Sequence, residues 1–181
     1  MADVAHELRT PLSNIQGYLE AVRDGLLQPD TATIGTIHQQ VLHLARLVED
    51  LRLLALAEAG ALTLNWQPDS LEEVLQRAVE PFRPRAQAKG VTIFLEIPSQ
   101  LPLVQMDRTR IAQVVANLIE NAIVHTPEGG WVTVSAEMTE RANRAAAKVT
   151  VADTGEGLLP EDLPLVFERF YRVDRSRTRR T

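Results

Sequence analysis

The chain has 181 residues, 45% hydrophobic and 24% charged, an ordinary globular composition that excludes a disordered or fibrous protein. With no cysteine it can hold neither disulfides nor thiolate metal sites, and no apolar run approaches the roughly 20 residues that span a bilayer. The net charge of −5 gives no argument for nucleic-acid binding, although six arginines against one acid form a basic tail from Arg169 onward.

The first sixty residues read as two helices. Val4, Leu8, Leu12, Ile15, Leu19, Val22 and Leu26 are spaced by three and four, one apolar stripe on a helix that Pro11 interrupts near its start. Gln28, Pro29 and Asp30 break the pattern. Ile34, Ile37, Val41, Leu44, Val48, Leu51 and Ala55 then keep a seven-residue repeat, which Leu47 and Leu54 widen into a second flank. One hairpin cannot bury two such faces; two hairpins packed as a dimeric four-helix bundle can.

Gly60 closes the helical region. Leu62, Leu64 and Trp66 alternate as a short strand. Asp69 or Ser70 caps a helix from Leu71 to about Gln87, made irregular by Pro81 and Pro84. Val91, Ile93, Leu95 and Ile97 alternate as a strand that Pro98 ends. Asp107 caps a helix running to about His125, and after the Glu128-Gly129-Gly130 turn two strands follow near Trp131–Met138 and Lys148–Ala152. No internal repeat is visible. The expected fold is therefore multi-domain: an α-helical hairpin over residues 1–60, then an α/β two-layer sandwich over 61–181 with helices on one face of a mixed sheet.

Three clusters carry chemistry. At 100° per residue His6 points away from the Val4–Leu8–Ile15–Leu19 stripe, so it is expected at the surface with Glu7 beside it. An exposed imidazole can act as a nucleophile when a carboxylate takes its proton, a part open to Glu7. Asn117, Asn121 and His125 recur at i, i+4 and i+8, a polar line opposite the buried side expected from Val114, Val115, Leu118, Ile119, Ala122 and Ile123. Two carboxamides in line can offer oxygens to Mg²⁺ and a triphosphate without adding negative charge. In Asp153-Thr154-Gly155-Glu156-Gly157 the glycines let the backbone turn sharply, and a carboxylate at a strand end can accept a hydrogen bond from an amino group.

Taken together these strings resemble the sensor histidine kinases of bacterial two-component systems, over nearly the whole chain and in family order. His6-Glu7-Leu8-Arg9-Thr10-Pro11-Leu12 resembles the H-box at every position. The resemblance implies a phosphoacceptor at His6, its acidic partner at Glu7 and, at Thr10, the residue that orients water for phosphatase activity. Asn117-Leu118-Ile119-Glu120-Asn121-Ala122 resembles the N-box, which implies a Mg²⁺ ligand at Asn121, phosphate support at Asn117 and a nucleotide-flanking position for His125. The D-x-G-x-G string resembles the G1 box, with Asp153 on the adenine amino group and Gly155 and Gly157 shaping the loop. Val166 to Asp174 resembles the F-box and the start of the ATP lid, where Arg172 corresponds to an arginine that meets the phosphates; the arginines beyond it read as a solvated tail.

The implied function is ATP- and Mg²⁺-dependent autophosphorylation on His6, transfer to the receiver domain of a response regulator, and dephosphorylation of that regulator. The implied assembly is a homodimer with no nucleic-acid partner, the cytoplasmic part of a sensor whose membrane segments lie outside these residues. Family ATPases carry a Glu four residues before the metal-binding Asn; here Asn117 stands there, which favours phosphoryl transfer over hydrolysis. Val124 departs from the pattern, since many family members place a basic residue there, so charge compensation must come from elsewhere. Glu120 is expected to be simply solvated. The glycine-rich G2 box should follow soon after Thr181, so the sequence is expected to stop inside the lid. The rival reading, drawn from Val124 and the missing G2 box, is a non-catalytic dimerisation and docking module with a degenerate kinase domain.

Overall fold

A computed structural model describes residues 2–98 and 100–166, apart from the side chains of residues 2–4, 6 and 7. The described residues divide into two units, one of residues 2–63 together with 164–166 and the other Leu64–Leu163.

The first unit is a hairpin of α1 (Ala2–Arg23) and α2 (Thr31–Glu58). The first helix runs through Pro11, which is buried, and ends before Leu26. Asp30 caps α2: its carboxylate accepts the Thr33 N–H at 2.8 Å, and this bond holds the acid below its usual value. The two helices divide their apolar residues in the same way. Leu8, Ile15 and Val22 on α1, and Ile37, Leu44 and Leu51 on α2, are half-buried. Leu12, Leu19, Ile34, Val41 and Val48, three or four residues away from these, stay exposed. No residue of α2 is fully buried.

The second unit is the expected two-layer arrangement. Its main sheet has the order β2 (Thr92–Glu96), β4 (Trp131–Arg141), β5 (Arg144–Asp153); β2 pairs parallel to β4 and β4 antiparallel to β5, so the sheet is mixed. Ile93, Val132, Val134 and Ala136 point from one face into the core, against Val74, Leu75 and Val79 of α3 (Leu71–Val79) and Val115, Ile119 and Ile123 of α5 (Arg108–His125). The opposite face carries the half-exposed Phe94 and Trp131.

Several local expectations change. Leu62, Leu64 and Trp66 form no strand; β1 lies one step later at Gln67–Asp69 and pairs with β3 (Val104–Met106), which is too short to leave a periodic signal. Of the two candidate caps it is Ser70 that caps α3, its hydroxyl accepting the Glu73 N–H, while Asp69 pairs with Arg108 at 3.0 and 3.1 Å. The prolines split the next helix as expected, into α3, a 3-10 turn at Glu80–Phe82 and α4 (Arg83–Ala88). Strands β4 and β5 run longer than their apolar alternation, joined by Ala142 and Asn143, both at positive φ.

Candidate active site

The helix α5 is built to hold a fixed position. Asp107 caps it, its carboxylate accepting the Arg110 N–H at 3.1 Å and the Asn65 N–H at 3.0 Å. These two donors, Asn65 foremost, hold the Asp107 carboxyl below the ordinary carboxylate value. Arg108 reaches back to Asp69 and, at 3.4 Å, to Glu73. With Val115, Ile119, Ala122 and Ile123 buried, one face of α5 is fixed and the other is turned to solvent. Asn117, Asn121 and His125 are all exposed, as their spacing requires. Val124 is exposed as well, and so are Val114 and Leu118, expected on the buried side, which lie outside the arc that Val115, Ile119, Ala122 and Ile123 press into the core. Glu120 is not merely solvated: it pairs with Arg85 at 2.7 Å, an ion pair 35 residues apart that no local pattern announces.

The loop after β5 packs on the end of this helix. A Cβ built on Gly155 would lie 2.7 Å from the His125 carbonyl oxygen and 2.6 Å from Asp153 Oδ1, so any other residue would push the loop away from α5. The Gly155 N–H donates to Asp153 Oδ1 at 2.8 Å. That bond fixes the carboxylate while the exposed Asp153 keeps acceptor capacity for another donor. Gly157 is exposed, at φ +69°. His125 Nδ1 stands 3.9 Å from Glu156 Oε1.

Thr154, passed over in the sequence, ties the loop to β4: its hydroxyl accepts the Trp131 N–H at 2.9 Å, and its own N–H donates to the Trp131 carbonyl at 3.1 Å. The structure therefore brings His125, Asp153, Gly155 and Glu156 to one end of α5, with Asn121 and Asn117 one and two turns back along the same helix. Thr10 is exposed on α1, with Pro11 buried next to it. His6 and Glu7 lie on α1, but their side chains fall outside the described residues, as does Arg172 entirely.

The donor set fits a nucleotide carrying its own metal. Among the described residues no group of three His, Asp or Glu side chains could hold an ion by itself. A helix with an uncharged amide face, ending beside a rigid carboxylate, can receive a triphosphate along its length and an amino-bearing base at its end.

These features define an ATP-binding layer of the kinase and gyrase kind, preceded by a helical hairpin. Residues 106–181 match the family model described as histidine kinase-, DNA gyrase B- and HSP90-like ATPase, and residues 1–60 match the His Kinase A (phospho-acceptor) domain. The chain is 36% identical over 179 residues to the signal transduction histidine-protein kinase BaeS of Escherichia coli K12, covering 99% of this chain and 37% of BaeS. The solved structure of the Acinetobacter baumannii histidine kinase AdeS is 34% identical with a TM-score of 0.74, covering 87% of this chain and 76% of that one. The structure of histidine kinase ThkA in complex with the response regulator protein TrrA is 25% identical with a TM-score of 0.66, covering 94% of this chain and 49% of that one. The chain belongs to the bacterial two-component sensor histidine kinases. It spans little more than a third of the length of BaeS. Among the described residues no helix is long and apolar enough to cross a membrane.

Proposed function

We propose that residues 1–60 form a dimerisation and phosphoacceptor domain and residues 61–181 the ATP-binding domain of a homodimeric protein-histidine kinase. The observation that carries this reading is the seating of Gly155 and Asp153 on the last turn of the helix bearing Asn117, Asn121 and His125. Adenine donates its amino group to Asp153, while His125 flanks the base. Asn117 and Asn121 face the triphosphate, Asn121 towards Mg²⁺, and Arg172 meets the phosphates from the lid. When bound, Mg²⁺ neutralises charge on the phosphates. His6 attacks the γ-phosphorus in line, a nitrogen–phosphorus bond forming as the bond to the β-γ bridging oxygen breaks and ADP leaves; Glu7 accepts the imidazole proton. Positioning and charge neutralisation supply the catalysis. The phosphoryl group then passes to an aspartate of a response-regulator receiver domain, the kind of partner with which ThkA was solved. Thr10 orients the water that later removes it. Membrane attachment, in this reading, belongs to segments outside these residues, with this part in the cytoplasm.

The exposed residues of the hairpin support the dimer. Leu12, Leu19, Ile34, Val41 and Val48 form a second apolar face left over after α1 and α2 have packed, and a second copy covers it. Labelled ATP followed by a panel of receiver domains tests the transfer. One receiver is expected to take label much faster than the rest, and Thr10→Ala to slow loss of label from it about tenfold or more while sparing autophosphorylation. Equal loss of both activities would reduce Thr10 to a support of the helix.

A further inference from the structure

The last four carbonyls of an α-helix have no donor within the helix. At the end of α5 three of the four accept hydrogen bonds. The Ala122 oxygen accepts the Thr126 N–H at 2.9 Å and the Thr126 hydroxyl at 2.7 Å, and Thr126 is fully buried. The oxygens of Ile123 and Val124 both accept from the Lys89 ammonium, at 2.7 Å each. The His125 oxygen is the surface on which Gly155 sits. Lys89 itself is rooted firmly. It ends α4, and the residues after it are stitched to the α5–β4 connection: the Gly129 N–H donates to the Gly90 carbonyl at 2.9 Å and the Thr92 N–H to the Gly130 carbonyl at 3.0 Å.

Resting on the nucleotide reading above, we propose that Lys89 is a positioning residue for the base end of that site. A cation at a helix C-terminus offsets the negative end of the helix dipole, and hydrogen bonds from an ammonium are stronger than neutral ones. Here the ammonium ties two consecutive carbonyls of the last turn to the α4–β2 connection. The next residue, His125, is therefore held, and with it the platform under Gly155 and Asp153. Lys89 acts through backbone and touches no nucleotide atom. Its effect is the same whether the ligand carries three phosphates or none.

Displacement of a fluorescent trinitrophenyl nucleotide by ATP, by ADP and by adenosine separates this role from others. Lys89→Met keeps the aliphatic stem and removes the ammonium; it is expected to weaken all three ligands by about tenfold with their ratios unchanged. Lys89→Arg restores most of the affinity. Arg108→Ala, which breaks ion pairs at the opposite end of α5, leaves all three affinities unchanged at temperatures where the protein is folded. Lys89→Gln, which keeps a donor, replaces the Met variant should that one not fold. Unchanged affinity in the Met or Gln variant overturns the inference, and so does a loss confined to ATP, which would make Lys89 a phosphate contact. Asn121→Ala tells the two readings apart: if it binds ATP as tightly as the parent, the nucleotide site itself is misplaced.

Discussion

The helical hairpin and the sheet unit use the same apolar residue types at similar spacings, yet only one of them closes a core. On α5, Val115, Ile119, Ala122 and Ile123 vanish against Val132, Val134 and Leu75. On α2 no residue is fully buried, and Ile34, Val41 and Val48 face solvent. A helix in a two-layer domain meets a sheet and a neighbouring helix, so one stripe suffices. A helix in a hairpin meets one neighbour and needs a second partner for its remaining stripe. In the proposed dimer the hairpin is the part whose stability depends on a second copy, whereas the sheet unit carries its own core.

The strongest way to break this contrast is to place charge on the exposed stripe alone. Val41→Glu with Val48→Glu sets like charges into the proposed dimer seam, and unpaired buried charges cost several kcal/mol each. The dimer dissociation constant is expected to rise at least about a thousandfold, with loss of hairpin helicity at low concentration. The thermal transition of the sheet unit stays where it was. A parent chain that is monomeric in light scattering at micromolar concentration would remove the contrast altogether.

A smaller effect sharpens it. Each region has a helix-capping aspartate whose pKa is lowered by backbone donors: Asp30 by Thr33 in the hairpin, Asp107 by Asn65 and Arg110 in the sheet unit. A folded-state pKa below the unfolded value gives stability that is present above the unfolded value and lost as pH falls through the folded one. For both groups this window lies below the ordinary aspartate value of 3.8. Asparagine keeps the cap but removes the titration. Asp107→Asn is therefore expected to lower the urea midpoint of the sheet unit at pH 7 and to converge with the parent near pH 2. Asp30→Asn should do the same to the hairpin, less strongly, because Asp107 also fastens Asn65. Parallel curves for parent and Asp107→Asn from pH 7 to pH 2 would show that the cap carries no linked proton.

Much of this was legible in the chain. The two hairpin helices, the capped helix after Asp107 and the strands starting near Val91, Trp131 and Lys148 followed from apolar period and capping residues, because those signals are local. The line Asn117–Asn121–His125 was readable as one exposed face for the same reason. What escaped depends on contacts between distant residues. The three-residue pair β1–β3 exists by mutual hydrogen bonding and has no pattern of its own. Glu120 looked solvated until Arg85 met it, and Lys89 gave no hint that its ammonium ends a helix 34 residues later. Thr154 was hidden between Asp153 and Gly155, although a hydroxyl at a strand end is a ready partner for the neighbouring backbone.

The central claim is that the hairpin receives a phosphoryl group on His6 which the sheet unit draws from ATP. Incubation with γ-labelled ATP, followed by acid and alkali treatment, measures it directly in parent and His6→Gln. The parent is expected to gain label that acid removes and alkali spares, the behaviour of a phosphoramidate. His6→Gln should gain none while binding fluorescent nucleotide as tightly as the parent. Acid-labile label persisting on His6→Gln would contradict the account.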